Sequence, residues 1–405
     1  MATLRDYIRI KHGYAFKGQN ISTIDNNVVL VTPGNFSVGG GFKEDKCKYF
    51  YAEYPYDYVL KEDDLIVTMT DLSKSIDTLG YSALVPTGKN RRVYLHNQRI
   101  GLVTINSDEL NKHYIYWFMR SPYYQKMIAA TSTGSTVHHT SPDRILDVEI
   151  ELPKLEDQNK IAAFLDNIEN RIQLNNEINN NLLQQVITLY DELVKSHDWP
   201  VVTILDIAEK VAMGPFGSNI KVSTFVPKGV PIISGNHLRG YFLEEPEFNY
   251  ITEEHAEHLK NSIVYTHDIV FTHAGNIGQV AIIPDGCKYK RYVLSQRQFY
   301  LRCNEAKVVP EFILLFFHSA SGQHELLSYA NQTGVPSIAQ PATNLKKILF
   351  KCPPIEMQLE WKVQVSPMIE RYLNNRYENE SLYSLRDYLL PKLMSGEIDV
   401  SNIDS

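Results

Sequence analysis

The chain has no long apolar run. Its longest, Phe312 to Phe317, is six residues among 405, far short of the roughly 18 needed to cross a bilayer. The opening Met1-Ala2-Thr3-Leu4-Arg5-Asp6 lacks the apolar stretch of a secretory leader, so a soluble, cytoplasmic protein is expected. Cysteine is scarce. Cys47, Cys287, Cys303 and Cys352 are scattered without a C-x-x-C, which argues against a disulfide framework and a zinc ribbon. There is no G-x-S-x-G element, no Asn/Asp-Pro-Pro-Tyr/Phe loop and no glycine-rich cofactor loop in a strand-to-helix context, which argues against a hydrolase elbow and a built-in methyltransferase. Nor does one sign of charge dominate. The net charge of −7 argues at first against nucleic acid, but it is unevenly placed. Residues 1–152 are neutral, 153–198 carry −4, 199–352 carry +1 and 353–405 carry −4. A neutral domain still binds DNA if its bases gather on one face.

What is present is a globular composition, 43% hydrophobic and 21% charged, long enough for two or three domains. The sequence is also written twice. Gly34-Asn35 recurs as Gly235-Asn236, Asp64–Thr68 (DLIVT) as Asp268–Thr272 (DIVFT), and Gly80…Ala83…Pro86 as Gly278…Ala281…Pro284. Gln98-Arg99 recurs as Gln296-Arg297, Thr133-Gly134 as Thr333-Gly334, and Pro153, Glu156 and Gln158 as Pro353, Glu356 and Gln358. A period near 200 residues means two homologous domains rather than a solenoid. Each half opens with about 150 residues of short strand-like runs and a helical patch, a mixed α/β domain, and closes on a long helix. The expected segments are 1–152, 153–198, 199–352 and 353–405.

The helices carry a heptad seam. Ile161, Leu165, Ile168, Ile172, Asn175, Asn179, Leu182, Val186, Leu189 and Leu193 alternate spacings of four and three. Two hundred residues on stand Trp361, Val365, Met368, Tyr372, Asn375, Asn379, Leu382, Arg386, Leu389 and Leu393. Arg386 breaks the seam near one end, where a long side chain is expected to reach water. Antiparallel pairing about residue 177 would set Asn175 against Asn379 and Asn179 against Asn375. Buried asparagines of this kind fix register. About 38 residues of helix make a rod of roughly 57 Å. The fold expected is therefore α/β, two homologous domains separated by two long helices in an antiparallel coiled coil with a pseudo-twofold internal repeat.

At this point the chain resembles the specificity subunit of type I restriction–modification systems. The resemblance rests on Leu152-Pro153-Lys154-Leu155-Glu156-Asp157-Gln158-Asn159-Lys160-Ile161, on Pro353-Pro354-Ile355-Glu356-Met357-Gln358 and on Leu390-Pro391-Lys392-Leu393-Met394-Ser395-Gly396-Glu397-Ile398. It covers nearly the whole chain. The departure is Trp361 where the first copy has Ile161. The resemblance implies that each globular domain is a target-recognition domain reading one half of a gapped, asymmetric site in double-stranded DNA. The helices would set the spacing and dock two methyltransferase (modification) subunits, which restriction subunits join. This chain would bind no cofactor and catalyse nothing, with S-adenosylmethionine, ATP and Mg belonging to the partner subunits. Same-face reading favours half-site centres near 10 base pairs apart. The alternative is a stand-alone two-headed DNA-binding or scaffold protein without an enzyme partner.

Base edges are read chiefly by Arg, Lys, Asn and Gln. In the first domain the polar loop candidates are Asn35, Lys74, Arg91, Arg92, Gln98, Arg99, Ser135, Thr136, His138 and His139. In the second they are Asn236, His237, Arg239, His273, Asn276, Lys288, Lys290, Arg291, Gln296, Arg297 and Gln332. Arg91-Arg92 and Lys288-Tyr289-Lys290-Arg291 are the expected basic patches. The recurring Gln98-Arg99 and Gln296-Arg297 suit shared scaffold or phosphate contact better than half-site readout. Gly134-Ser135-Thr136 and Gly334-Val335-Pro336 are loops whose amides could meet phosphate. Two weaker patterns remain. Pro284-Asp285 with Glu305-Ala306-Lys307 loosely fits a nuclease core, but the first copy lacks it. His255 and His258 have the i, i+3 spacing of a metal pair with no further ligand nearby.

Overall fold

The computed structural model describes residues 2–71, 73, 76–88, 92–134, 137–331 and 334–400. Lys74, Arg91, Ser135, Thr136 and Gln332 lie outside the described residues. The chain divides into two compact units, Met1–Asn176 with Arg376–Ser405, and Glu177–Asn375. Each unit therefore takes one globular domain and half of each long helix, Leu155–Lys195 and Ile355–Met394.

In the first unit an antiparallel sheet runs in the order Ile8–His12, Ile100–Ile105, Leu65–Thr68, Ser82–Leu84. The DLIVT run supplies Leu65–Thr68, all four residues buried. An unbroken apolar strand is what a strand covered on both faces requires. A second sheet holds the parallel pair Val28–Val31 and Val93–His96, flanked by Lys48–Phe50 and Val59–Leu60. The second unit repeats the plan. Its antiparallel sheet is Ala208–Met213, Gln298–Cys303, Ile269–Thr272, Val280–Ile282. Its mixed sheet pairs Val230–Ile233 in parallel with Tyr292–Leu294. Helices Lys112–Phe118 and Pro122–Thr131, and likewise Pro310–His318 and Ala320–Leu327, complete the two domains.

The repeated P-x-x-E-x-Q motif has a specific task. Gln158 is fully buried. Its Oε1 accepts the Asn111 N–H at 2.9 Å, and its Nε2 donates to Glu109 O and Pro153 O, both at 2.9 Å. Gln358, also fully buried, accepts from Val309 N at 3.0 Å and donates to Pro353 O at 2.7 Å. One planar amide thus fastens the start of a long helix to its own domain. Glu156 and Glu356 sit in the first turns, where a carboxylate complements the helix dipole.

Along the helices the seam is apolar outside its middle, except at Arg386. Ile161, Leu165, Ile168 and Ile172 are buried in the first unit, and Val186, Tyr190, Trp361 and Val365 in the second. Trp361 packs on Tyr190 and Phe312, so the aromatic in place of isoleucine is accommodated. In the first unit Asn175 Nδ2 donates to Asn379 Oδ1 at 2.9 Å and Asn379 Nδ2 to Asn176 Oδ1 at 2.9 Å. In the second, Asn375 Nδ2 donates to Asn179 Oδ1 at 2.9 Å and Asn179 Nδ2 to Tyr372 O at 3.1 Å. Within the first unit the pairings of Glu169 with Arg386 and of Arg171 with Glu378 run antiparallel.

Arg386 departs from expectation. Its side chain is only 13% exposed and bonds Glu169 at 2.9 Å. Glu169 also faces Arg120 at 3.6 Å, a guanidinium 2% exposed that lies over Trp117 and donates to Gly39 O at 2.8 Å. A charged pair, not a water-facing head group, fills the break in the seam. The equivalent of Arg120 in the second unit is His318, which precedes the capping Ser319 as Arg120 precedes Ser121. His318 stacks on Tyr241 at 3.8 Å. Beside it an apolar cavity is lined by Leu182, Val186, Phe242, Met368, Ile369 and Tyr372.

Replacing Gln158 by Leu leaves the Asn111 N–H buried without its acceptor. The expected loss is about 1–3 kcal/mol, read as a lower unfolding midpoint in chemical denaturation. Gln158→Glu recovers only the acceptor and stays destabilised.

Candidate nucleic-acid interface

In each unit, four chain segments meet at the turn that follows the parallel strand of the mixed sheet. In the first, Tyr14 N donates to His96 O at 2.8 Å and Gln98 N to Tyr14 O at 3.0 Å. Met69 N donates to Arg99 O at 2.9 Å, and Thr140 N to Met69 O at 3.1 Å. His138 and His139 pair with Asp71 and Thr70. Gln98, Arg99, His138 and His139 are thereby brought to one loop face, with Gln98, Arg99 and His139 exposed and His138 half-buried. Asp71, fully buried, accepts from Ser73 N at 2.5 Å, Thr78 N at 2.6 Å and Leu79 N at 3.0 Å. Burial pushes its carboxyl up, but these N–H donors outweigh it and hold it below the usual range. It stays ionised and ties down the ends of its loop.

The second unit builds the same face. His273 N donates to Arg297 O at 2.9 Å, Ile338 N to His273 O at 2.8 Å and Gly275 N to Pro336 O at 2.9 Å. Arg297 and Asn276 are exposed and His273 is half-buried. Asn236 is exposed beside Gly235, whose carbonyl accepts from Gln279 Nε2 at 3.1 Å, and Arg239 is exposed three residues on. Arg99, Arg239 and Arg297 make no ion pair among the described residues. Glycine permits the crossing. A Cβ at Gly13 would stand 2.2 Å from Asn97 O, and one at Gly214 1.9 Å from Ser295 O. Gly13 recurs as Gly214, each followed within two residues by an aromatic, and this pair marks the crossing in the sequence.

Several sequence candidates serve the scaffold instead. Asn35 is fully buried, accepting from Thr32 N at 2.9 Å and donating to Lys43 O at 3.2 Å. Its structural counterpart is His237, not Asn236. Both close a short helical turn begun by Thr32 or Ser234, so the Gly-Asn match was one residue out of register. His237 is buried and stacked on Phe248, and its Nδ1 accepts from Ser234 N at 2.9 Å. Burial lowers its pKa, which keeps it neutral. Gln296 spends its amide on Ile220 O at 2.8 Å and Gly217 O at 3.3 Å. The basic patches are largely neutralised where they stand. Arg92 bonds Glu44 at 2.7 Å and Asp25 at 3.0 Å. Arg291 bonds Glu257 at 2.6 Å and also Glu253. Lys288 and Lys290 remain exposed, at the end of their strand away from the Gln296-Arg297 turn.

The two enzyme-like patterns resolve into local contacts. His267 lies 3.1 Å from both Asp285 and Glu305, one carboxylate on each ring nitrogen. Burial depresses it, but the two carboxylates outweigh burial and raise its pKa. Lys307 donates to Asp206 O at 2.8 Å. The carboxylates and the lysine of the nuclease-like pattern are thus engaged separately. His255 and His258 bond the carbonyls of Asn219 and Glu254, each at 2.8 Å. Among the described residues no group of three His, Cys, Asp or Glu side chains is placed to hold a metal ion. No helix among them is long and apolar enough to cross a membrane.

The repeated loop face sits within sequence that matches the family model for the type I restriction modification DNA specificity domain twice, over residues 2–184 and 196–364. The chain belongs to that family. It is a type I specificity subunit with two target-recognition domains. It is 24% identical to the MjaIX specificity subunit of Methanocaldococcus jannaschii, over 74% of this chain and 72% of that one. It is 21% identical to the EcoBI specificity subunit of Escherichia coli, over 96% of this chain and 84% of that one. The fold is similar to that of the type I S subunit from M. genitalium, with a TM-score of 0.60, 13% identity and coverage of 96% and 94%.

His96 supports the first reading turn from beneath. It is buried, and its Nε2–H donates to Ile100 O at 2.8 Å. Burial pushes its pKa down to about 4. Because the folded value lies below the unfolded one, the stabilisation is present above pH 6.5 and lost as pH falls through 4. His96→Leu, matching Leu294 of the second unit, should remove about 3 kcal/mol of acid sensitivity from the first unit. Denaturation curves at pH 7.5 and pH 4.5 measure it.

Proposed function

We propose that each unit reads one half of a gapped, asymmetric site in double-stranded DNA and that this specificity subunit performs no chemistry itself. The observation that carries the reading is the repeated loop face. On the same turn of both units stands an exposed arginine with no acidic partner among the described residues, Arg99 or Arg297, while the side chains around it differ. The common arginines suit phosphate, which carries no sequence information. The differing neighbours suit two different half-sites: His138 and His139 in one, His273 and Asn276 in the other.

The long helices are proposed to dock two methyltransferase subunits, joined by restriction subunits, with S-adenosylmethionine, ATP and Mg held by those partners. The relatives are named as specificity subunits of type I restriction enzymes. Leu174, Leu385 and Tyr388 in the first unit and Leu359 and Val363 in the second are exposed on the long helices, apolar side chains that suit a protein partner. No observation favours a stand-alone two-headed binder.

A genome-wide adenine-methylation map of the host with and without this gene tests the reading. One gapped, asymmetric motif should disappear with the gene, and exchanging residues 1–152 should alter one half of it. An unchanged map refutes the assignment. In the assembled complex, Arg99→Ala and Arg297→Ala should each flatten the log affinity–log salt slope by about 0.9, measured by DNA titration at several salt concentrations.

A further inference from the structure

The loop Gly214–Ile220 carries a phenylalanine that the fold does not use. Phe216 is 74% exposed and stacks on no other ring among the described residues. Its loop, by contrast, is tightly held. Gly214 N donates to Gln298 O at 2.8 Å. Gln296 Nε2 reaches Gly217 O at 3.3 Å and Ile220 O at 2.8 Å, and His255 bonds Asn219 O at 2.8 Å. A floppy loop would let the ring fold back onto the surface, whereas this one holds it out. A lone exposed apolar residue means little by itself. Two things set Phe216 apart. Gln296, the residue that clamps its loop, is followed directly by Arg297, which is exposed and makes no ion pair among the described residues. The equivalent loop of the first unit also presents an aromatic, Tyr14, 44% exposed and braced by Phe16 and Tyr58.

We infer that Phe216 is a specificity-determining residue of the second unit, making an apolar contact to a base edge whose chemical match is the thymine C5-methyl. This inference rests on the DNA-reading function proposed above. A ring without a hydroxyl can distinguish thymine from cytosine in the major groove through that methyl alone. Tyr14, with a phenolic oxygen, would not make the same choice, in keeping with unlike half-sites. Gln296 is then a positioning residue, holding the loop at Gly217 and Ile220 while Arg297 anchors the backbone.

The test uses the complex assembled with its modification subunits and a duplex carrying the mapped motif. Thymines in the half-site read by residues 199–352 are replaced by uracil one at a time, each removing a single methyl. At one position the wild type should lose about fourfold in affinity, the worth of one methyl. Phe216→Ala should bind the intact motif more weakly by a similar or larger factor and be indifferent to uracil at that position alone. Val222→Ala, 82% exposed six residues further along the chain, should behave as the wild type. Equal sensitivity of Phe216→Ala and wild type at every thymine would overturn the inference, as would weakening that is the same for unrelated DNA. A wild-type complex with no preference for its motif would instead remove the DNA-reading function, and the inference with it.

Discussion

The structure depends on a buried amide used twice. Gln158 and Gln358 are each buried and accept one backbone N–H, and Gln158 donates to two backbone carbonyls, Gln358 to one. A glutamate there would lose its donors, and a leucine would orphan an N–H. Because the amide is planar and fully engaged, it fixes the angle at which each long helix leaves its domain. The sheets pack on the helix so oriented, and the reading turns hang from the sheets. Loss of the clamp would therefore be felt at the loop face as well as in stability.

Above that constraint the two domains share a skeleton and diverge where the skeleton permits. Tyr94 donates to Glu44 at 2.9 Å and Tyr292 to Glu245 at 2.6 Å, the same bond in both mixed sheets. Gly13 and Gly214 allow the same chain crossing. The loop residues beyond these fixed points differ in charge, size and hydrogen bonding. A pseudo-symmetric scaffold bearing unlike loops is what reading an asymmetric sequence requires.

The repeat, the mixed α/β character and the heptad seam were legible because each leaves a periodic trace: strands as unbroken apolar runs, the seam as alternating fours and threes, the asparagines as its interruption. Side-chain destinations leave no such trace. Asn35 and Asn236 look equivalent until their turns are superposed, and a one-residue slip separates a buried scaffold residue from an exposed one. Arg92 and Arg291 read as DNA-facing bases because their carboxylate partners lie 34 to 67 residues away in sequence. Arg386 reads as a solvent-seeking defect because Glu169 stands on the other helix. Phe216 escapes notice because an apolar residue is presumed to be core, and only the clamped loop shows otherwise.

The two domains also sit on chemically unlike seats. Arg120 of the first is held by Glu169 beside Arg386, against Gly40, where a Cβ would stand 2.6 Å from its Cγ. His318 of the second rests on Tyr241 beside an apolar cavity. Moving the first domain onto the second seat would bury Arg120 against Ile369 and Val186 with no counter-charge. The two domains of this chain are thus not interchangeable with each other, whereas a new first domain keeps the first seat. A foreign segment spliced in at residues 1–152 meets a Glu169 still paired with Arg386, and a group other than Arg120 then faces that pair.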